Sequence, residues 1–393
     1  MAGAGRSLAP FAALSASYFA HIGFFNPYLS LWLKELGFGL LAISVLTSVQ
    51  AATRLFAPYG WGAVSDRTGD RIKLMRYCAC VAWLASLCLW LPLGLWALMA
   101  VLLVMFAHTS PMMPMSDAVM GGLFSRSGSF DARQYGRVRV WGSIGFLATV
   151  FAAGAWFEQF GMHHFPAWST LTMLGVLFSV WALPNADKSV AVDTAAAPAL
   201  PVLRQAQVRW FFATAFFHVL SHIGIYVFFS LYLDELGYSK SAIGMMWAVA
   251  VGVEIVWFYC QGHWLARLSL PAWLVLCACA MAVRLGLTAF AGSSLLVLVF
   301  AQALHAMSFA AHHTVSVALV SQYFPGRLQG RGQALYSVIG YGLTGVLGGP
   351  VGGWISAKYG LTAVYWASLA ISCIAILCAR RVWSLNQSGR GMA

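Results

Sequence analysis

Residues Ser30 to Phe38 of this 393-residue chain read Ser-Leu-Trp-Leu-Lys-Glu-Leu-Gly-Phe, and residues Ser230 to Tyr238 read Ser-Leu-Tyr-Leu-Asp-Glu-Leu-Gly-Tyr. Six of the nine positions are identical and both aromatic positions stay aromatic. Upstream, His21-Ile22-Gly23 returns as His222-Ile223-Gly224. Downstream, Ala42-Ile43, Gly62 and Arg67 match Ala242-Ile243, Gly262 and Arg267. A shared register near two hundred residues makes the chain two copies of one unit, and each copy must satisfy the same physical constraints.

Those constraints are set by lipid. The chain is 61% hydrophobic and 9% charged, against about 25% charged in an ordinary soluble domain. A hydrocarbon core roughly 30 Å thick needs about 20 apolar residues per helix. Runs of that kind fall at 9–33, 40–62, 74–92, 94–120, 138–158, 165–184, 208–233, 240–261, 270–290, 293–322, 333–356 and 361–380. The expectation is an all-α integral membrane protein of twelve transmembrane helices in two pseudo-symmetric six-helix bundles. The bundles are residues 1–184 and 208–393. The polar, Pro-broken segment 185–207, with Asn185, Asp187, Lys188 and Asp193, is a cytoplasmic linker. The first run lacks a signal-peptide cleavage pattern and matches the seventh, so it is read as a retained helix.

A net charge of +12 would suit a nucleic-acid binder, but its distribution argues otherwise. Alternate loops hold Arg6, Arg67, Arg71, Lys73, Arg76, Arg126, Arg133, Arg137, Lys188, Arg204, Arg209, Arg267, Arg327, Arg331, Arg380, Arg381 and Arg390. The intervening loops hold only Lys34, Lys240 and Lys358. Seventeen against three is the positive-inside pattern, which puts both termini in the cytoplasm; the expected location is a bacterial inner membrane. No basic stretch interleaves aromatics, so no nucleic-acid partner is expected. All eight cysteines lie inside the apolar runs. Cys78-x-Cys80 and Cys277-x-Cys279 recur at matching places without zinc-site spacing, so neither a metal nor a disulfide is expected.

Charges inside the spans are few: Arg54, Asp117, Arg139, Glu254 and Arg284. With them lie His21, His108, His218, His222, His305, His312 and His313. A charge at the bilayer centre costs about 2.5–3.5 kcal/mol on insertion scales, which makes each a functional candidate, the plainer alternative being a structural ion pair. On the tenth span His305, Phe309, His312 and Ser316 stand at i, i+4, i+7 and i+11 and are expected to share a helix face. Trp32 and Tyr232, near the outer span ends, read as interfacial belt residues. Gly340, Gly342, Gly345, Gly348, Gly349, Gly352 and Gly353 on the eleventh span allow close helix approach.

Gly62-Ala63-Val64-Ser65-Asp66-Arg67-Thr68-Gly69-Asp70-Arg71-Ile72-Lys73 resembles the cytoplasmic signature of the major facilitator superfamily. That likeness makes Gly62, Asp66, Arg67, Gly69 and Arg71 a cytoplasmic gate motif. The second copy has Ala266 in place of the aspartate. Pro114-Met115-Ser116-Asp117-Ala118 and Tyr135-Gly136-Arg137-Val138-Arg139-Val140-Trp141-Gly142 resemble the fourth and fifth helices of the lactose permease group. They are most similar to its phenylpropionate permease branch. Met281-Ala282-Val283-Arg284, Leu304-His305 and Gly252-Val253-Glu254-Ile255 resemble its ninth, tenth and eighth helices.

The resemblance covers most of the chain, and it implies a proton-coupled symporter working by alternating access. Asp117 and Arg139 would clamp the substrate, with Phe146 as the ring beside it. One turn after His305 the chain has Ser308 where the lactose permease group carries a proton-bearing glutamate, so Glu254 is taken as the proton acceptor, with His305 and Arg284 as its partners. Arg54, His312, His21 and His222 are further substrate-contact candidates. Three intramembrane arginines against two carboxylates suit a small organic anion, such as an aromatic carboxylic acid of the 3-phenylpropionate kind. A sugar or nucleoside symporter and an exporter of the same fold stay open. Nothing supports an enzyme: there is no nucleophile–base pair, phosphate loop or metal cluster. No cofactor is implied beyond the ion gradient, and the expected partners are the solute, protons and lipid around a monomer.

Overall fold

The computed structural model describes residues 8–124, 132–184, 200–325 and 328–390. The side chains of Asp66, of 121–124, of 132–136 and of 388–390 lie outside the described set, as do Arg6, Arg126, Arg327 and most of the expected linker, 185–199. All regular structure among the described residues is helical. The reason is the solvent: lipid offers no partner to a peptide N–H or C=O, so each span satisfies its own backbone.

Ten helical stretches are long and apolar enough to cross a membrane. The other two expected spans are helical as well: α1 (Ala9–Glu35) and the 17-residue α7 (Phe165–Trp181). Between these come α2 (Leu40–Thr68), α3 (Arg71–Leu87), α4 (Leu95–Thr109), α5 (Met112–Phe124) and α6 (Ala132–Phe160). A short α8 (Leu200–Leu203) precedes α9 (Ala206–Glu235), α10 (Lys240–Leu265) and α11 (Leu270–Ala291). The tenth span is composite: α12 (Leu295–Ala303), a π-helical turn over Ala306–Ala311, and α13 (His312–Tyr323). The eleventh is built the same way, from α14 (Gln329–Tyr336), a second π-helical stretch over Ser337–Leu343, and α15 (Thr344–Tyr359). The last helix is α16 (Leu361–Arg390).

Packing divides the chain into two compact units. One holds Met1–Trp32 with Thr53–Asp193, the other Leu33–Ala52 with Thr194–Ala393. In the first, α3 lies against α4 and α7, and Phe11, Leu14, Met75, Cys78, Met115 and Val176 meet in its core. In the second, α16 packs on α9 and α11, around Phe211, Cys277, Val315, Leu319 and Phe324.

The written repeat is also a folded repeat. Gly37 and Gly237 both adopt positive φ (86° and 83°). At each, the glycine N–H reaches back three residues, to the carbonyl of Lys34 or Asp234. The following aromatic N–H reaches the carbonyl of Leu33 or Leu233, at 3.1 and 3.0 Å. That is a Schellman helix end made twice, and glycine is needed because the left-handed region crowds a Cβ. Gly161 and Gly360 end α6 and α15 at φ 84° and 85°. Asp70 and Ser269 cap α3 and α11 through their side chains. Cys78 and Cys277, at matching places in those two helices, are both buried.

The glycines of α15 do two jobs. A Cβ on Gly345, Gly349 or Gly353 would collide with Ala51, Ser48 and Ser44 of α2, whereas one on Gly348 or Gly352 would meet Leu220, Ile223 and Phe228 of α9. Trp32 and Tyr232 are not interfacial. Both are buried, Trp32 stacked on Phe165 and Tyr232 donating its hydroxyl to the Thr288 carbonyl at 2.9 Å. The C-terminal ends of α1 and α9 are packed inside their units, so these rings meet protein where a belt residue would meet headgroups.

Candidate functional site

In the second unit three intramembrane residues singled out in the sequence come together from three spans. Arg284 of α11 is 1% exposed. Its Nη1 lies 3.0 Å from His305 Nδ1 and 3.1 Å from Ser308 Oγ, and its Nη2 donates to Gln302 Oε1 at 2.7 Å. On the far side of the imidazole, His305 Nε2 is 3.3 Å from Glu254 Oε2 of α10. A guanidinium has donors only, so His305 Nδ1 accepts and its proton sits on Nε2, facing the carboxylate. The result is a relay: a buried cation, a neutral imidazole, and a carboxylate whose side chain is 24% exposed. A desolvated arginine is costly unless its donors are met and its charge is balanced. Three neutral acceptors meet the two Nη groups, and Glu254 balances the charge through one intervening ring.

The π-helical turn decides which neighbours join this relay. His305 and Phe309 stack at 4.9 Å and 5°, and Phe309 stacks on His313 at 6.1 Å and 11°. The extra residue in the wide turn carries the stripe from Phe309 to His313, correcting the α-helical spacing that put His312 on it. His312 instead faces α9 and stacks on His218 at 3.7 Å and 8°. His222 does reach the relay region: its ring lies 6.4 Å from both His305 and Phe309 and 5.3 Å from Tyr226. His313 Nδ1 meets the Tyr341 hydroxyl at 3.4 Å, and Tyr341 meets Tyr336 at the same distance. The half-buried rings of Tyr226, Phe309, His313 and Tyr341 therefore gather in the same unit as the buried charge.

In the first unit α1 and α6 cross through glycines. A Cβ on Gly142 would strike Phe19 and Ser15, one on Gly145 the backbone of Ala16, and one on Gly23 the Phe146 carbonyl. The crossing sets Phe19 beneath Arg139, whose guanidinium carbon sits 4.9 Å from the ring centroid. Arg54, exposed on α2, and Arg139 both lie within electrostatic range of Tyr18. Phe146 and Asp117 are half-buried on α6 and α5. His21 sits away from solvent: its Nδ1 lies 2.9 Å from Thr172 Oγ1, and its ring packs on those of Phe24 and Phe25.

In the gate motif the positive φ (67°) belongs to Gly69, while Gly62 lies within α2 with open space beside it. Arg67 is exposed and Arg71 opens α3. Asp66 lies outside the described side chains. Gln302 and Ser308 are contributors that the sequence did not assign to the site. Gln302 and Ser308 each lie three residues from His305, so polar residues at helical spacing in an apolar run were the available signal.

A fold that is helical throughout its described residues, with ten or more apolar spans and a buried charge relay, defines a multi-pass membrane transporter. Residues 13–367 match the MFS_1 like family, and the chain belongs to it. The "Probable 3-phenylpropionic acid transporter" of Escherichia coli (strain K12) is 27% identical over 334 residues, covering 83% of this chain and 85% of that protein. The "Maltose permease" of Geobacillus stearothermophilus is 25% identical, covering 88% and 87%. Among solved structures, the nucleoside transporter NupG superposes with a TM-score of 0.79 at 15% identity, covering 96% of this chain and 98% of that one. These relatives are transporters, not enzymes.

Proposed function

We propose that the chain is a proton-coupled symporter that imports a small organic acid, an aromatic monocarboxylate such as 3-phenylpropionate, by alternating access. The observation that carries this reading is the Arg284–His305–Glu254 relay. With Glu254 ionised the relay is neutral overall. A proton arriving at Glu254, its most exposed member, removes the negative charge and leaves Arg284 uncompensated. A substrate carboxylate restores the balance. Proton and monoanion are then each favoured by the other, which is coupling expressed as charge. The rings of Tyr226, Phe309, His313 and Tyr341 give an apolar aromatic surface, and the Escherichia coli relative supports that ligand class. Seventeen basic residues on alternate loops support an inner-membrane protein with both termini cytoplasmic. It acts as a monomer of two six-helix halves, 1–184 and 208–393, joined by the 185–207 linker. Asp117, Arg139, Arg54 and Phe146 are the substrate contacts of the first half, and Gly62, Asp66, Arg67, Gly69 and Arg71 gate the cytoplasmic side.

Sugar symport is favoured by one specific observation, the relationship to a maltose permease. Uptake of labelled 3-phenylpropionate, maltose and a nucleoside into proteoliposomes under an imposed pH gradient separates the two. Glu254→Gln fixes the carboxyl in a neutral form. It is expected to lower gradient-driven accumulation by roughly 10²-fold or more while retaining exchange of external for internal substrate. Accumulation surviving in Glu254→Gln would remove the proposed proton site.

A further inference from the structure

The relay depends on a turn of helix that is intrinsically unfavourable, and one residue outside the relay holds that turn at two points. His218 of α9 donates from Nε2 to the Ser308 carbonyl at 2.7 Å, in the middle of the π-helical turn. Its ring lies face to face with His312, the first residue after that turn, at 3.7 Å. His218 is 1% exposed, and its Nδ1 has no hydrogen-bond partner among the described residues. The bond to Ser308 is thus where its polar capacity goes. A wide turn departs from the usual i→i−4 ladder, and a side chain inserted there is one of the recognised ways to stabilise the departure. The register it sets places Ser308 Oγ and His305 Nδ1 on the same Arg284 nitrogen, at 3.1 and 3.0 Å.

We infer that His218 is a positioning residue for proton coupling: its hydrogen bond to the Ser308 carbonyl pins the π-helical turn that sets His305 between Arg284 and Glu254. The inference rests on the symporter reading. The titratable and charged groups around it are His222 on its own helix, His312 on α13, and Arg284 with His305 one contact further away. Losing the donor leaves a buried carbonyl unmet and releases the register. His305 then bridges the charge pair less well, and the pH dependence of coupled uptake changes with it.

Two substitutions separate the donor from the ring. His218→Phe keeps a ring to stack on His312 and loses the N–H. His218→Gln loses the ring and keeps an amide N–H near the position of Nε2. In proteoliposomes, His218→Phe is expected to lower pH-driven uptake about tenfold and displace its pH profile by roughly one unit, the two being the same free energy. Substrate exchange at equal pH should stay near wild type. His218→Gln should restore both rate and profile. Should the Phe variant fail to accumulate in the membrane, His218→Met, equally without a donor, takes its place. A Phe or Met variant with wild-type rate and profile overturns the inference, and so does equal impairment of the Gln and Phe variants, which would make the role one of packing. Glu254→Gln run alongside keeps the two readings apart. If it still accumulates substrate, the symporter reading fails; if it does not while His218→Phe behaves as wild type, only the positioning role fails.

Discussion

Arg284 shows how much one side chain in lipid-depth protein can demand. Its planar fork serves His305, Ser308 and Gln302 at once, a task for which a lysine ammonium has the charge but not the geometry. Arg284→Lys is therefore expected to keep the positive charge yet strand two of the three acceptors, weakening substrate binding by about tenfold or more in equilibrium-binding measurements on the purified protein. Wild-type affinity in that variant would mean the fork geometry is unimportant. Residues of this kind are legible in sequence because a charge inside an apolar run stands out: Glu254 and Arg284 could be named from the chain alone. Gln302 and Ser308 show in the chain only as polar residues three positions from His305. That signal is weak, because uncharged polar residues are common in spans and acquire a role only when an arginine reaches them. Trp32 and Tyr232 misled for the reverse reason. Their composition suits a membrane interface equally well, and only the packing of α1 and α9 shows them to be buried.

At the scale of the helix, two features escape a reading by period. The π-helical turn over Ala306–Ala311 has no compositional mark, yet it moves the ring stack from His312 to His313 and turns His312 toward His218. The glycines of α15 are conspicuous in sequence, but their division into one row facing α2 and another facing α9 emerges only in three dimensions. That division has a consequence for stability. Gly349 faces Ser48, whose hydroxyl already bonds the Ser44 carbonyl at 2.6 Å, so an added side chain has nowhere to go. Gly349→Val should destabilise the protein by about 1–3 kcal/mol, seen as a lower melting temperature in detergent. Ser48→Gly in the same chain removes the hydroxyl and should recover part of the loss. Melting of Gly349→Val at the wild-type temperature would show the helices to be less tightly apposed. The repeated helix ends, by contrast, fall on glycines that the sequence repeat already pairs, Gly37 and Gly237, although the repeat alone does not give their positive φ.

For the molecule as a whole, the sequence repeat, the paired helix ends and the paired cysteines describe one unit used twice and then specialised. The relay belongs to the second copy: α10 and α11 carry Glu254 and Arg284, while the positions two hundred residues earlier hold Arg54 and Leu84. A carrier whose coupling carboxylate sits opposite one buried cation has a definite charge balance. Under the proposed symport, one proton moves with one monoanion, and the loaded form crosses with no net charge added. Transport should then follow the pH gradient and ignore the membrane potential. The most direct measurement is accumulation of labelled 3-phenylpropionate in proteoliposomes with the potential clamped at zero and the lumen alkaline, beside vesicles with a potential and no pH difference. Accumulation in the first and none in the second is the expected result. Accumulation driven by potential alone, or none under the pH gradient for any organic acid tried, would contradict proton–anion coupling through Glu254 and Arg284.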